Sequence, residues 1–559
     1  MPKQQADALG RGAVATPALP SSRLADLVLR WYAVVLRVLR DELPAGVAQA
    51  WGDQLVRRGM LGMALIGVGS LTPAFLPPDA PIVRTLHLQW LSTGAGRFSA
   101  TLVLVAGMAL LVDAWLRMRP REGSARLHRY TWLLWSLPVL LAPPLFSRDA
   151  YSYAAQGRIV GLGLNPYEVG PVYVTGEFQQ YRDQVDPMWL FTPAPYGPLA
   201  LQLQHAIVFV TGDNAYLAAL AMRLPALASV ALLAFTLPRL ARRFGVSADR
   251  ALWLGVFNPL VMMHLVGGAH GDAMMIALVS LALLLAARGQ LFWASATIAL
   301  SANFKQTAVL ALIGVVGLAM QADTGPRSKA AKFVRAGVVH GGVAAATFTL
   351  LTAVSGLGWG WIPNLAVPAS LRSLLSPPTL LGTALEGLLR ISGVPDSWVA
   401  AAVPRVQTLG MLVGLVVIAL IAWRVGPRRP VFASAAVLLV LCASGPVVHP
   451  WYLLWGGVLL AACRIGERTV EAMVWVTLFF ACYGTVDATV SNGTWALGVT
   501  AAAWLLVKMV RRHREGDTGD ADGDGPGENR GLLDGFGRLS GLDDRRTPSR
   551  SRTAHTIIS

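Results

Sequence analysis

The stretch Phe146-Ser147-Arg148-Asp149-Ala150-Tyr151-Ser152-Tyr153 follows directly on the apolar run Trp132–Leu145 and opens a polar, aromatic-rich loop that reaches about Leu199. An Arg, an Asp and two Tyr gather where a helix leaves an apolar medium, and charge inside such a medium is expensive. If the run before it crosses a bilayer, this loop stands on one face of a membrane. The rest of the chain is then arranged to present it, which points to an active site on the non-cytoplasmic face.

Composition supports that frame. The 559 residues are 54% hydrophobic and 14% charged, with a mean hydropathy of +0.52, whereas soluble proteins carry roughly 25% charged residues. Apolar windows close to ~20 residues, the length that crosses a bilayer core, recur along the chain. The formal charge of +16 first suggests nucleic acid. The Lys and Arg cluster beside helix ends, however, as positive-inside topology requires, so the lipid bilayer and not nucleic acid is the expected partner. Cys442, Cys463 and Cys482 all fall in expected spans and offer neither a disulfide framework nor zinc spacing.

Flanking charge orients the spans. Residues 1–57 lack the cleavage pattern of a signal peptide and read as a cytoplasmic segment. Within them Leu24–Arg40 is amphipathic, with Arg23, Arg30 and Arg37 opposite Leu27, Trp31 and Val34. That pattern fits a helix on the inner membrane surface or against the protein's own cytoplasmic side. Spans are expected at about 59–76 and 98–116, the second returning to a loop with Arg117, Arg119, Arg121, Arg126 and Arg129. A third, about 131–146, then exits and places Asp149 outside.

The next inside cluster is Arg239, Arg242, Arg243 and Arg250, so one crossing, Tyr216–Leu237, separates it from Asp149. Leu199–Val210 is left as a juxtamembrane helix. Spans at about 251–266 and 273–287 form a hairpin whose tip, Gly267-Gly268-Ala269-His270-Gly271-Asp272, points outward. Phe292–Met320 has inside-type flanks at both ends, so two short helices meeting near Asn303-Phe304-Lys305 are expected. Further spans follow at about 336–354, 403–423, 431–447, 451–463, 470–486 and 494–510, for about 14 crossings with both termini cytoplasmic. The fold class is thus an all-α polytopic membrane protein. Its membrane domain covers 58–512, with outer loops at 147–199 and 355–402. Residues 513–559 are Gly-, Asp- and Arg-rich and read as a disordered cytoplasmic tail. A calcium-loop-like start at Asp520 fails because its twelfth position is Gly531.

Few residues carry chemistry. Asp149 could simply cap the helix that follows it. Its neighbours argue for more: beside Arg148, Tyr151, Tyr153, the Asn165-Pro166-Tyr167 turn and Tyr196, it can meet a hydroxyl-rich substrate, and aromatic faces suit sugar rings. The turn Thr192-Pro193-Ala194-Pro195-Tyr196-Gly197-Pro198 is stiffened by its prolines. Lys305 lies in an apolar stretch, where a Lys costs roughly 2.5–3.5 kcal/mol, so it either snorkels or has a partner or function. A counter-charge for a lipid-linked phosphate is the functional reading, and Arg223, in Met222-Arg223-Leu224-Pro225, invites the same one. His264, His270 and Asp272 are too few for a metal site; His270, Asp272 and His449 are expected to touch substrate. With no phosphate-binding glycine loop and no soluble nucleotide domain, the donor should be lipid-linked, and no cofactor and no metal are expected.

The architecture resembles the GT-C superfamily of polyprenyl-phosphate-sugar glycosyltransferases. More closely, Ser147-Arg148-Asp149-Ala150-Tyr151-Ser152-Tyr153, Gly163-Leu164-Asn165-Pro166-Tyr167, Ala194-Pro195-Tyr196-Gly197-Pro198, Asn258-Pro259-Leu260 and Pro450-Trp451-Tyr452 resemble the actinobacterial α-(1→6)-mannopyranosyltransferases of the MptA and MptB type. The likeness runs, in order, over roughly residues 55–510. It implies transfer of mannose from polyprenyl-phosphate-mannose to a growing mannan, the backbone of lipomannan-type glycolipids. It also places Asp149 at the family's catalytic acidic position. The tip His270-Gly271-Asp272 departs from the His-Asn-Glu expected there. The implied reaction inverts the anomeric carbon, with Asp149 as general base and Lys305, with Arg223, facing the leaving phosphate. A transporter or flippase is the competing class, but no clear internal repeat is visible and the polar residues collect at one face.

Overall fold

Proline and glycine cut most of the apolar runs before they reach bilayer length, and those cuts set the architecture. The computed structural model describes residues 37–505 except 73–75, 77–80, 122, 124, 368–370 and 491–494, together with residue 509. Among the described residues every regular element is helical. Five helices are long and apolar enough to cross a membrane: Gly94–Arg117, Ala215–Arg243, Lys329–Ser355, Asp396–Arg424 and Glu467–Asp487. A sixth results if the bent pair Ala248–Val256 and Val261–Gly267 counts as one span. The remaining expected crossings fall on shorter pieces, so helices of bilayer length do not reach the expected count of about 14. The surface helix at 24–40 lies almost wholly outside the described residues, and the tail 513–559 with its calcium-like stretch lies outside them.

Helix α1 (Gln54–Gly69) starts where Asp53 accepts a hydrogen bond from Leu55 N, 2.8 Å. It packs lengthwise on α2 (Gly94–Arg117) through small residues. A Cβ at Gly62 would stand 2.7 Å from Leu111 N, and one at Gly107 would stand 2.7 Å from Gly62 O. Only glycine permits that approach, the usual device of helix pairs in lipid. Asp113 on α2 is buried but paired with Arg58 (2.8 Å) and Arg117 (3.0 Å). Below it, Trp115 and Trp253 stack at 5.1 Å and each donates its indole N–H to the other's carbonyl, at 2.8 and 2.7 Å.

The expected crossing at 131–146 takes a different form. Helix lasts only from Thr131 to Ser136, one 3-10 turn covers Leu137–Val139, and irregular chain follows to Asp149. Pro138, Pro143 and Pro144 explain the break, since each lacks a backbone donor and clashes with a preceding turn. Beyond it, α3 (Asp149–Gly161) lies on α4 (Pro198–Val210), so closely that a Cβ at Gly157 would be 2.6 Å from the Gln204 carbonyl carbon. α4 occupies the place of the expected juxtamembrane helix. The run through Ala215–Ala221 and α5 (Arg223–Arg243) follows.

The segment read as a straight span at 251–266 is bent by 61° at Asn258-Pro259. The Asn258 side chain fills the gap: it accepts from Leu260 N (2.9 Å) and donates to Leu254 O (3.2 Å) and Thr477 Oγ1 (3.0 Å). Next come α6 (Asp272–Ala287) and α7 (Leu291–Ala302). Chain direction changes at Asn303–Lys305, as expected, before Gln306–Ala311 and Leu312–Ala322. α8 (Lys329–Ser355), α9 (Asp396–Arg424), α10 (Pro430–Ser444), α11 (Leu454–Leu460) and α12 (Glu467–Val490) complete the bundle.

The α1–α2 contact is directly testable. Gly107→Val should lower the stability of the detergent-solubilised protein by about 1–3 kcal/mol, the cost of overpacking a tight contact, read as a fall in thermal midpoint. An unchanged midpoint would mean the two backbones are not in contact.

Candidate active site

The irregular segment before Asp149 leaves carbonyls that no helix satisfies, and one side chain takes them up. Arg223 at the start of α5 is 2% exposed. Its guanidinium donates to Leu140 O (3.2 Å), Ala142 O, Pro143 O (2.7 Å) and Gly267 O (2.9 Å). Gly267 O also accepts from Leu145 N at 3.0 Å. The chain leading to Asp149 is thereby stitched to the chain leading to His270 and Asp272. Two non-glycine residues flank the stitch with positive φ, Phe146 at 60° and Ala269 at 55°. Such conformations are costly and persist where packing dictates them. Arg223 does not line the cavity described next, so the donor-phosphate role expected for it is replaced by this one.

That cavity has a volume of about 550 Å³. Asp149, Asp272, Lys305 and His449 line it together with the apolar side chains of Leu371, Met411, Leu412 and Leu441. Asp149 opens α3, where its backbone N–H donates to Ser147 Oγ (2.9 Å). Its Oδ2 lies 3.4 Å from Nδ1 of His270, which is fully buried. His270 stacks on Trp451 at 3.7 Å, and His449 stacks on the opposite side of the same indole at 4.5 Å. Burial alone would raise the Asp149 carboxyl. His270 beside it and the hydrogen bond from Ser147 outweigh burial and hold it down at about 2. Asp149 is therefore ionised at neutral pH, as an acceptor of a proton must be. Burial pushes His449 down to about 4, so its ring is neutral there.

Lys305 has the partner its cost demanded. Its Nζ lies 2.6 Å from Asp272 Oδ1 and over the rings of Tyr452 (4.6 Å) and Trp455 (4.8 Å). Trp455 Nε1 donates to the same Asp272 oxygen at 2.6 Å. Asp272 thus fixes the ammonium and one wall of the cavity, and it is itself 2% exposed. The turn carrying Tyr196 docks on the α7 break, with Gly197 N donating to Phe304 O (3.3 Å) and Ala200 N to Asn303 O (3.4 Å). Tyr196 consequently lines the cavity and meets Tyr153 edge-on at 5.4 Å. Burial raises both phenols, which keeps them protonated donors.

The other expected contacts lie elsewhere. Tyr151 is buried among apolar residues at 1% exposure, and Tyr167 packs with Ala194 and Leu201. Arg148 is half-buried at the N-cap of α3. None of these three lines the cavity. Tyr167 contributes through its backbone, since Asn364 Nδ2 donates to both Tyr167 O and Ala194 O at 3.1 Å and lines the cavity. Residues not singled out from the sequence are Trp455, Gln407 and Thr408. Trp451, Tyr452 and Trp455 follow His449-Pro450 within little more than one helical turn, a spacing that groups aromatic side chains in one place. Among the described residues no three His, Cys, Asp or Glu side chains converge as metal ligands.

Comparison with known proteins places the chain among membrane glycosyltransferases. Residues 56–321 match a family described as alpha-(1->6)-mannopyranosyltransferase, N-terminal domain, and residues 378–511 match the MptB C-terminal domain. The chain belongs to the alpha-(1->6)-mannopyranosyltransferase family. It is 31% identical over 441 residues to alpha-(1->6)-mannopyranosyltransferase A of Mycobacterium tuberculosis, covering 76% of this chain and 84% of that one. A probable alpha-(1->6)-mannopyranosyltransferase of Mycolicibacterium smegmatis is 34% identical over 463 residues, covering 76% and 82%. Alpha-(1->6)-mannopyranosyltransferase B of Corynebacterium glutamicum is 30% identical over 440 residues, covering 72% of each.

If Arg223 holds the segment before Asp149, removing it should both destabilise and inactivate. Arg223→Ala leaves the carbonyls of Leu140, Ala142 and Pro143 short of a donor and Gly267 O with one partner fewer, at about 1–3 kcal/mol for a buried group before relaxation. A marked fall in thermal midpoint is expected, with Arg223→Lys intermediate because its ammonium cannot span all four. Equal stability of the three proteins would refute the clamp.

Proposed function

We propose that this protein transfers mannose from polyprenyl-phosphate-mannose to the 6-hydroxyl of a growing α-(1→6)-mannan, with inversion, at the outer face of the plasma membrane. The observation that carries this reading is the mixed lining of the cavity: a carboxylate and an ammonium share it with a set of apolar side chains. Leu412 both belongs to that set and is 55% exposed on the outside of α9. An acyclic lipid tail could lie along it while its sugar phosphate reaches Asp149 and Lys305. The names of the relatives support mannose as the sugar. The basic cluster at Arg117–Arg129, read from the sequence as a cytoplasmic loop, supports the outward orientation.

A β-linked donor and an α-linked product require attack from the face opposite the phosphate. Asp149, ionised at neutral pH, takes the proton of the acceptor hydroxyl as its oxygen bonds to the anomeric carbon. The sugar–phosphate C–O bond breaks with both electrons passing to the phosphate. Lys305 has three N–H groups, of which one serves Asp272, so two remain for phosphate oxygens. An ammonium held in place by a carboxylate and two aromatic faces needs no reorganisation when that charge develops. A single carboxylate acting as base then suffices, unlike the usual glycosidase pair.

In membranes supplied with labelled polyprenyl-phosphate-mannose and a short α-mannoside, Asp149→Asn should lower turnover by at least about 100-fold. Near-normal transfer by the inserted variant would sink the assignment of the base. Lys305→Ala should raise the donor KM, and an unaltered donor dependence would reduce Lys305 to a structural partner of Asp272.

A further inference from the structure

Behind Asp149 lies a second, smaller cavity of about 50 Å³, lined by Tyr153, Tyr196, Gln204, His270 and Lys305 among others. That volume has room for one or two waters. Three of its polar lining side chains are more than nine-tenths buried: His270 at 0%, Tyr153 at 4% and Gln204 at 7% exposure. Tyr153 Oη, Gln204 Oε1 and His270 Nε2 lack a hydrogen-bond partner among the described residues, while His270 Nδ1 faces Asp149. Buried polar atoms are normally satisfied by protein or by ordered water, and here several converge on one small polar space. His270 separates the two cavities: Nδ1 faces Asp149 Oδ2 at 3.4 Å, while the ring lines the inner space.

We propose that the inner cavity is a water-binding site and that His270 relays to it the proton Asp149 takes from the acceptor. The proposal rests on Asp149 being the base of the reaction set out above. The acceptor hydroxyl loses its proton to the Asp149 carboxylate. The carboxylic acid so formed passes a proton to Nδ1 of His270, and the ring gives up the proton on its other nitrogen to water held by Tyr153 and Gln204, which hands it on to bulk solvent. Asp149 returns to its ionised state, and one proton is released for each sugar transferred. His270 is itself out of the substrate's reach, being fully buried under Trp451, so it acts only through Asp149. The titratable and charged groups around the ring are Asp149, His264, Asp272, Lys305, His449 and the two tyrosines.

The test uses full-length protein in membranes with labelled polyprenyl-phosphate-mannose and a short α-mannoside, and follows kcat and donor KM from acid to alkaline pH. His270→Gln is expected to lower kcat by about 10- to 100-fold and to leave donor KM within about two-fold, a split that loss of the cavity's shape would not give. Gln204→Leu, which touches neither Asp149 nor the main cavity, should lower kcat several-fold at unchanged donor KM. Unchanged kcat in both variants, or a donor KM that rises in step with the fall in kcat, would overturn the relay. Activity retained by Asp149→Asn would overturn the base instead. An inactive Asp149→Asn beside a fully active His270→Gln would remove the relay alone.

Discussion

The guanidinium of Arg223 and the carbonyls of Leu140, Ala142, Pro143 and Gly267 form the contact on which the site depends. Three prolines prevent the stretch after Ser136 from satisfying itself as helix. Irregular backbone in an apolar setting is tolerated only when protein supplies the missing partners. Arg is suited to this, because its planar fork presents five donors and stays charged. The same fork reaches Gly267, so the two strands of chain carrying Asp149 and His270 are held to one rigid point. The left-handed Phe146 and Ala269 on either side are the conformational cost of that closeness.

From that anchor the polar groups fall into two linked sets. Asp149 faces His270, which is sandwiched with His449 about Trp451. Lys305 faces Asp272, which also holds Trp455. His270 and Asp272 are two residues apart on one turn, so the tip of a single hairpin supports both the carboxylate and the ammonium. The tip was expected to touch substrate. Its larger part is to orient the side chains that line the cavity.

Much of this was legible in the sequence, and the reasons for the rest are physical. Charge alternation located the chain break at Asn303–Lys305, because basic flanks constrain how often a chain has crossed. The expense of an ammonium in apolar surroundings announced that Lys305 had a partner or a function, but not that Asp272 was the partner, 33 residues earlier. The helix expected at 131–146 failed because apolarity was read as helicity although three prolines lie in the run. What rescues that run sits 80 residues later, where nothing local marks it. Tyr151 and Tyr167 drew notice as aromatic neighbours of Asp149, yet helix direction turns them into apolar packing. Trp455 drew none, since a tryptophan in an apolar span resembles ordinary core.

The wall formed by Met411, Leu412 and Leu441 has one further consequence. It is a flank and not a tunnel: Leu412 and its neighbours Leu409 and Val413 are more than half exposed on the outer surface of α9. For the lipid-linked donor proposed above, a site built this way would grip the first few carbons of the tail beside the phosphate and would have no end wall to measure the remainder. On that proposal, selectivity among donors rests on the head group and the first isoprene units, leaving total chain length free to vary.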